Sequence, residues 1–219
     1  MLNVVFYNPP ETKSYTYREY DDDGNLVEHT VETIYHTVKD FACETLTSGK
    51  YMFAAPGFLS SFSGDMPSLN DAEGMFLTSE ITFVSGKDKE EPADFSSLTI
   101  ADYMFGECAL LESVNVKMPS LVSAKDMFTG CIALTSFNGD LASLENGENL
   151  FADCPLTEIS GNFDSLSNGK GMFKNKEISV FDIELPGLHN GEEMFSGTKI
   201  TEFNHNLGQL ENGTKMFYD

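Results

Sequence analysis

The sequence predicts a repeat solenoid, in which coils of 22–23 residues each supply a short parallel strand and a short helical or 3₁₀ turn, with a β-hairpin at the N-terminal end. Three observations predict it. A Met-Phe pair recurs at Met52, Met75, Met104, Met127, Met172, Met194 and Met216, with Leu150-Phe151 filling the one gap, at spacings of 23, 29, 23, 23, 22, 22 and 22. Apolar columns keep register with that pair. The first 40 residues do not repeat and alternate in β fashion.

The elements follow in chain order. Lys13–Tyr20 and Leu26–Val38 alternate polar and apolar residues around Asp21-Asp22-Asp23-Gly24-Asn25, a turn sequence that tolerates left-handed backbone. Residues 1–40 are therefore expected to form a hairpin that covers the first coil or acts as a docking element. Residues 41–219 are expected to form about seven coils. The spacing of 29 is a normal unit with an insertion, placed in the charged stretch Gly86–Pro92 as a surface loop.

Six residues before each pair stands a leucine, from Leu46 and Leu69 to Leu188 and Leu210. Further upstream an inward column runs Phe62, Val84, Val114, Phe137, Ile159, Phe181, Phe203. One coil cannot bury such residues alone, but stacked coils can. Three residues before each pair the side chain is small: Gly49, Ala72, Ala101, Ala124, Gly147, Gly169, Gly191, Gly213. One residue earlier stand Ser48, Asp71, Ile100, Ser123, Asn146, Asn168, Asn190 and Asn212, and seven of these eight are good helix N-caps. That pattern predicts a short helical or 3₁₀ turn carrying each Met-Phe pair inward. Segments such as Leu134–Leu141 are too short and turn-rich for helix and predict strands, stacked about 4.8 Å apart.

A further pattern appears at Met104-Phe105…Cys108…Leu111 and Met127-Phe128…Cys131…Leu134, shortened at Leu150-Phe151…Cys154…Leu156. It resembles the BspA-like, treponemal type of leucine-rich repeat, whose unit carries a Phe followed by a Cys and a Leu. The Met-Phe pair is also similar to the repeat of mycoplasma surface lipoproteins. The resemblance covers about residues 46–219. It departs from the family at the strand, where Phe-x-x-Asp-Leu-like segments replace Ile-x-Ile-Pro, and at Lys176 and Thr198, which occupy Cys positions. The resemblance implies a leucine-rich-repeat-like solenoid used for adhesion or protein binding, in surface or phage proteins, without catalysis.

Composition bounds the function. The chain has 13 Lys+Arg against 35 Asp+Glu, a net charge of −22. It offers few cations to neutralise phosphates, so nucleic acid is not an expected partner. No apolar run approaches the roughly 18 residues of a membrane span, so membrane insertion is not expected. Met1–Tyr7 lacks a basic segment and a long apolar run, which favours a virion or cytoplasmic setting over secretion. No catalytic, cofactor or metal site is expected. Cys108, Cys131 and Cys154 form one column of buried free thiols, without Cys-x-x-Cys or a nearby His. Asp21, Asp23, Asn25 and Glu32 imitate an EF-hand loop, but the required glycine is Leu26. His189 and His205 are expected on solvated coil surfaces.

Nearly all Phe and Met belong to core columns, whereas Tyr15, Tyr17, Tyr20 and Tyr35 cluster in the hairpin. Tyr is favoured at interfaces because its body is apolar and its tip polar. The hairpin tyrosines and the terminal Met216, Phe217 and Tyr218 are the candidate interaction surface. The expected function is a non-enzymatic structural and interaction protein within an assembly, such as a phage fibre, tail or decoration component. Surface adhesion, or protein or glycan binding, is the alternative. A protein partner or self-association is expected.

Overall fold

The computed structural model describes residues 11–55, 59–87, 90–174 and 176–218 apart from 21–25, with side chains from residue 37 onward except 39 and 40. Two long strands open the chain. β1 (Glu11–Tyr20) pairs antiparallel with the first part of β2 (Leu26–Ala42) in unbroken register from Glu11↔Tyr35 to Tyr20↔Leu26. The second part of β2 pairs parallel with β3 (Leu59–Asp65), through Val38↔Phe62 and Phe41↔Gly64. One strand thus belongs to the hairpin and to the solenoid sheet, and it lies directly before the first coil. The turn with its EF-hand-like acids falls outside the described residues.

The coils continue with β4 (Phe83–Ser85), β5 (Ala93–Asp94), β6 (Ser113–Val114), β7 (Val116–Lys117), β8 (Ser136–Asp140) and β9 (Glu158–Asn162). One sheet runs β1-β2-β3-β4-β6, and β5-β7 and β8-β9 form two-stranded sheets; every pairing beyond the hairpin is parallel. The insertion after β4 closes on itself, Gly86 N–H donating to Glu91 C=O at 2.8 Å, with Lys87, Glu90 and Glu91 exposed.

The Met-Phe turns are where the sequence expectation fails. The described residues contain no helix. The residue before each Met or Leu of the pair sits in the left-handed region, with φ between 52° and 62°: Tyr51, Gly74, Tyr103, Asp126, Asn149, Gly171, Glu193 and Lys215. A left-handed residue ends a right-handed helix. Each turn is closed locally, as by Met75 N–H to Ala72 C=O at 3.0 Å, while alternate N–H groups bond the next coil, as Phe76 to Met104 C=O at 2.8 Å. The donors a helix would keep to itself therefore join neighbouring coils. Most of these positions are not glycine, so the sequence does not announce them.

The presumed caps do more than cap. Asn146, Asn168, Asn190 and Asn212 each accept a hydrogen bond from the backbone N–H two residues on, at 3.1–3.3 Å. Their amides also bond one another up the stack, Asn168 Nδ2 to Asn146 Oδ1 at 2.9 Å, Asn190 to Asn168 at 3.0 Å and Asn212 to Asn190 at 3.1 Å. The backbones of this column form seven parallel bridges from Ser48 to Asn212. Where Ile100 breaks the chemistry, Asp102 substitutes: its carboxylate accepts from Ser123 Oγ at 2.7 Å and from Lys125 N–H at 2.9 Å in the next coil. Asn168→Ala is expected to leave two neighbouring amides short of a partner and to cost about 1–3 kcal/mol, read by chemical denaturation.

Packing explains the remaining columns. Phe53, Phe76, Phe105, Phe128, Phe151, Phe173, Phe195 and Phe217 stack in one file, with centroids 5.3–5.8 Å apart. The small column is small because the next coil's methionine lies over it: a Cβ on Gly169 would meet Met194 Sδ at 3.0 Å. Burial of this apolar interior is the main favourable term of the fold.

Candidate functional site

The interior holds a column of thiols. Cys108, Cys131 and Cys154 are buried and unbridged, as the column predicts. Each thiol donates to the carbonyl of the preceding coil's phenylalanine: Phe76, Phe105 and Phe128, at 3.0, 3.1 and 3.0 Å. Burial pushes Cys108 up to about 11. The Cys154 thiol beside it, and burial, push Cys131 upward as well. A thiolate is the nucleophilic form, so these two thiols are inert near neutral pH. Cys154 is pulled below the ordinary thiol value by its contact with Cys131 and, secondarily, by Lys176. Lys176 occupies the next place in this column and is buried; desolvation lowers its pKa, against the pull of Cys154 and Asp153. Among the described residues no cluster of three or more His, Cys, Asp or Glu could hold a metal ion.

The outer surface is charged and regular. Lys50 pairs with Asp71 at 2.9 Å and Glu73 at 2.8 Å, Lys125 with Glu148 at 3.5 Å, and Lys170 with Glu192 at 3.3 Å. These pairs join adjacent coils, yet exposed pairs contribute little to stability. No helix among the described residues is long and apolar enough to cross a membrane.

The candidate contact residues separate into two regions. In the hairpin, register puts Tyr15 opposite Val31, Tyr17 opposite His29, Tyr35 opposite Glu11 and Tyr20 opposite Leu26. In the last coil, Phe217 and Tyr218 are 51% and 63% exposed. Met216 is a correction: it is buried, packed over Gly191, and belongs to the core. Phe217 stacks on Phe195 and meets Phe203 edge-on, so its exposed ring is held in place.

A groove of about 390 Å³ opens between segments 178–184 and 200–206, lined by Asp182, Glu184, Glu202 and His205 among others. Neither segment forms a strand, unlike β8 and β9 before them. Sequence reasoning placed His205 in solvent, but its side chain is only 8% exposed. Its register was the available signal. It stands two residues after Phe203, where earlier coils carry Gly64, Gly139 and Gly161 two residues after Phe62, Phe137 and Ile159.

A family profile described as the BspA-type leucine-rich repeat region matches in six copies across residues 98–219. The chain belongs to the BspA-type leucine-rich repeat family. No curated protein and no solved structure matches the chain. The BspA-type profile covers the coils with the thiol column and the asparagine ladder. BspA-type repeats indicate a protein that works through interaction or adhesion, and such solenoids are typically not enzymes.

Proposed function

We propose that this BspA-type solenoid is a non-enzymatic interaction protein that takes its place in a larger assembly, such as a phage fibre, tail or decoration, by protein contact or self-association. The observation that carries the reading is the exposed aromatic pair Phe217-Tyr218, of which Phe217 is held against Phe195 and Phe203. Rigid aromatic side chains lose little entropy on binding and anchor interfaces well. The hairpin tyrosines Tyr15, Tyr17, Tyr20 and Tyr35 form the second contact region. The net charge of −22 steers the chain toward basic partners. The same surfaces serve the second reading, adhesion to protein or glycan, which the family match favours.

Light scattering on the full chain separates them. The assembly reading expects a discrete closed oligomer that Phe217→Ser with Tyr218→Ser, or Tyr15→Ser with Tyr17→Ser, converts to monomer. A monomer at all concentrations removes self-association and leaves contact with another protein, or adhesion, to be tested against immobilised proteins and glycans.

A further inference from the structure

We propose that His205 is a pH-operated latch, holding segment 200–206 against segment 178–184 while its imidazole carries both protons and releasing it when one proton leaves. The geometry favours the doubly protonated ring. One ring nitrogen, Nε2, lies 2.9 Å from the Phe181 carbonyl oxygen, and the other, Nδ1, lies 3.1 Å from Glu184 Oε1. A backbone carbonyl and a carboxylate only accept, so both contacts are satisfied together only when both nitrogens donate, as in the imidazolium. The ring also meets Phe203 and Phe181 edge-to-face, with centroids at 5.0 and 5.9 Å. Glu184 itself remains 70% exposed, so only the imidazole side of the pair is buried.

The latch matters because few hydrogen bonds join these two segments, which otherwise meet through the Phe181 and Phe203 rings, with centroids 6.1 Å apart. β8 and β9 are tied by a ladder from Ser136↔Glu158 to Asp140↔Asn162. Segments 178–184 and 200–206 form no such ladder; Lys199 N–H to Ile178 C=O at 3.1 Å closes one end and His205 closes the other. The imidazole makes, by side chain, the inter-coil bond to a carbonyl that a strand N–H would otherwise make. The charged groups around it are Glu184 and Asp182 on the facing segment and Glu202 on its own, all acidic; Lys199 is engaged by Glu177.

The sign follows from these contacts. The bond to Phe181, then Glu184, raise the His205 pKa above its ordinary 6.5. A group raised on folding stabilises the folded state fully below its unfolded pKa and loses that contribution as pH rises through the folded value. The latch is therefore closed in mild acid and opens as pH rises through a value above the ordinary histidine one. An open latch sets a lone pair against an oxygen, so one of the two contacts must yield.

The test uses the full chain. Proton NMR titration is expected to give His205 a pKa above the ordinary 6.5. Hydrogen–deuterium exchange, corrected for intrinsic rates, is expected to show residues 198–206 losing about tenfold protection between about pH 5.5 and about pH 8.5, while residues 136–162 do not change. His205→Gln, which cannot donate from two positions, should show the high-pH behaviour at every pH. Glu184→Gln, altering an exposed side chain, should move the transition to lower pH and keeps the test decisive if His205→Gln fails to fold. A pH-independent segment in the unaltered chain, an unchanged pH response in folded His205→Gln, or an unmoved transition in Glu184→Gln overturns the proposal.

Discussion

Replacing Phe128 with alanine is expected to cost about 3–5 kcal/mol and to end cooperative unfolding. The ring is fully buried between Phe105 and Phe151, at 5.4 and 5.6 Å and nearly parallel to both, with Phe137 tilted against it at 5.7 Å. Removing it leaves a cavity on the axis, and the stacked neighbours cannot collapse into it without shifting whole coils. Stability in a solenoid is a sum of coil and interface terms, and this substitution weakens two interfaces together. Urea denaturation should show a lower midpoint and a shallower slope, because the halves on either side of the break no longer melt together. Phe217→Ala is the control. That ring is half exposed and has one neighbour in the file, so its loss should be well under half as costly. Equal losses at the two positions would sink the idea that the file couples the coils.

Gly161→Ala should be nearly as damaging, for a backbone reason. Gly161 has φ of +143°, and a Cβ there would lie 2.0 Å from the Gly139 carbonyl oxygen of the paired strand. The obstacle is main chain, so no rotamer change relieves it. β8 and β9 must separate or Gly161 must leave its conformation, at a combined cost of about 2–4 kcal/mol. Gly208→Ala, where the nearest atom to the added carbon is Asn206 Oδ1 at 3.5 Å, should change stability little. Comparable melting of both variants would show that the close approach at Gly161 relaxes freely.

The contrast between these two residues shows what the sequence could and could not reveal. Phe128 announces its place, because a large apolar residue at a fixed period has to be buried. Leu134, Cys131 and Ala124 were legible for the same reason. The turn was not legible. Its left-handed residue is Tyr51, Tyr103, Glu193 or Lys215 as readily as glycine, since hydrogen bonds to the next coil impose the conformation. The asparagines looked like helix caps because capping is a local signal, whereas the amide bonds between Asn146 and Asn168 depend on stacking 22 residues apart. Of the candidate surface, Phe217 and Tyr218 are exposed, whereas Met216 is buried like Met75, Met104, Met127, Met172 and Met194. His205 was missed because its residue type suggested solvent while its register pointed inward.

The direction of the inter-coil bonds carries a mechanical consequence. From Gly49 N–H→Asp71 C=O to Gly191 N–H→Asn212 C=O, these bonds run between successive coils, along the stacking direction. Tension applied along the stack loads every coil boundary equally in series, and the weakest yields first. Each yielding coil frees 22–23 residues, or about 75 Å of extended chain. A shear across the stack instead loads every bond of one boundary together. The same molecule is thus compliant when pulled lengthwise and stiff when pushed sideways, so it can extend stepwise under load and dissipate force before a contact at either end lets go.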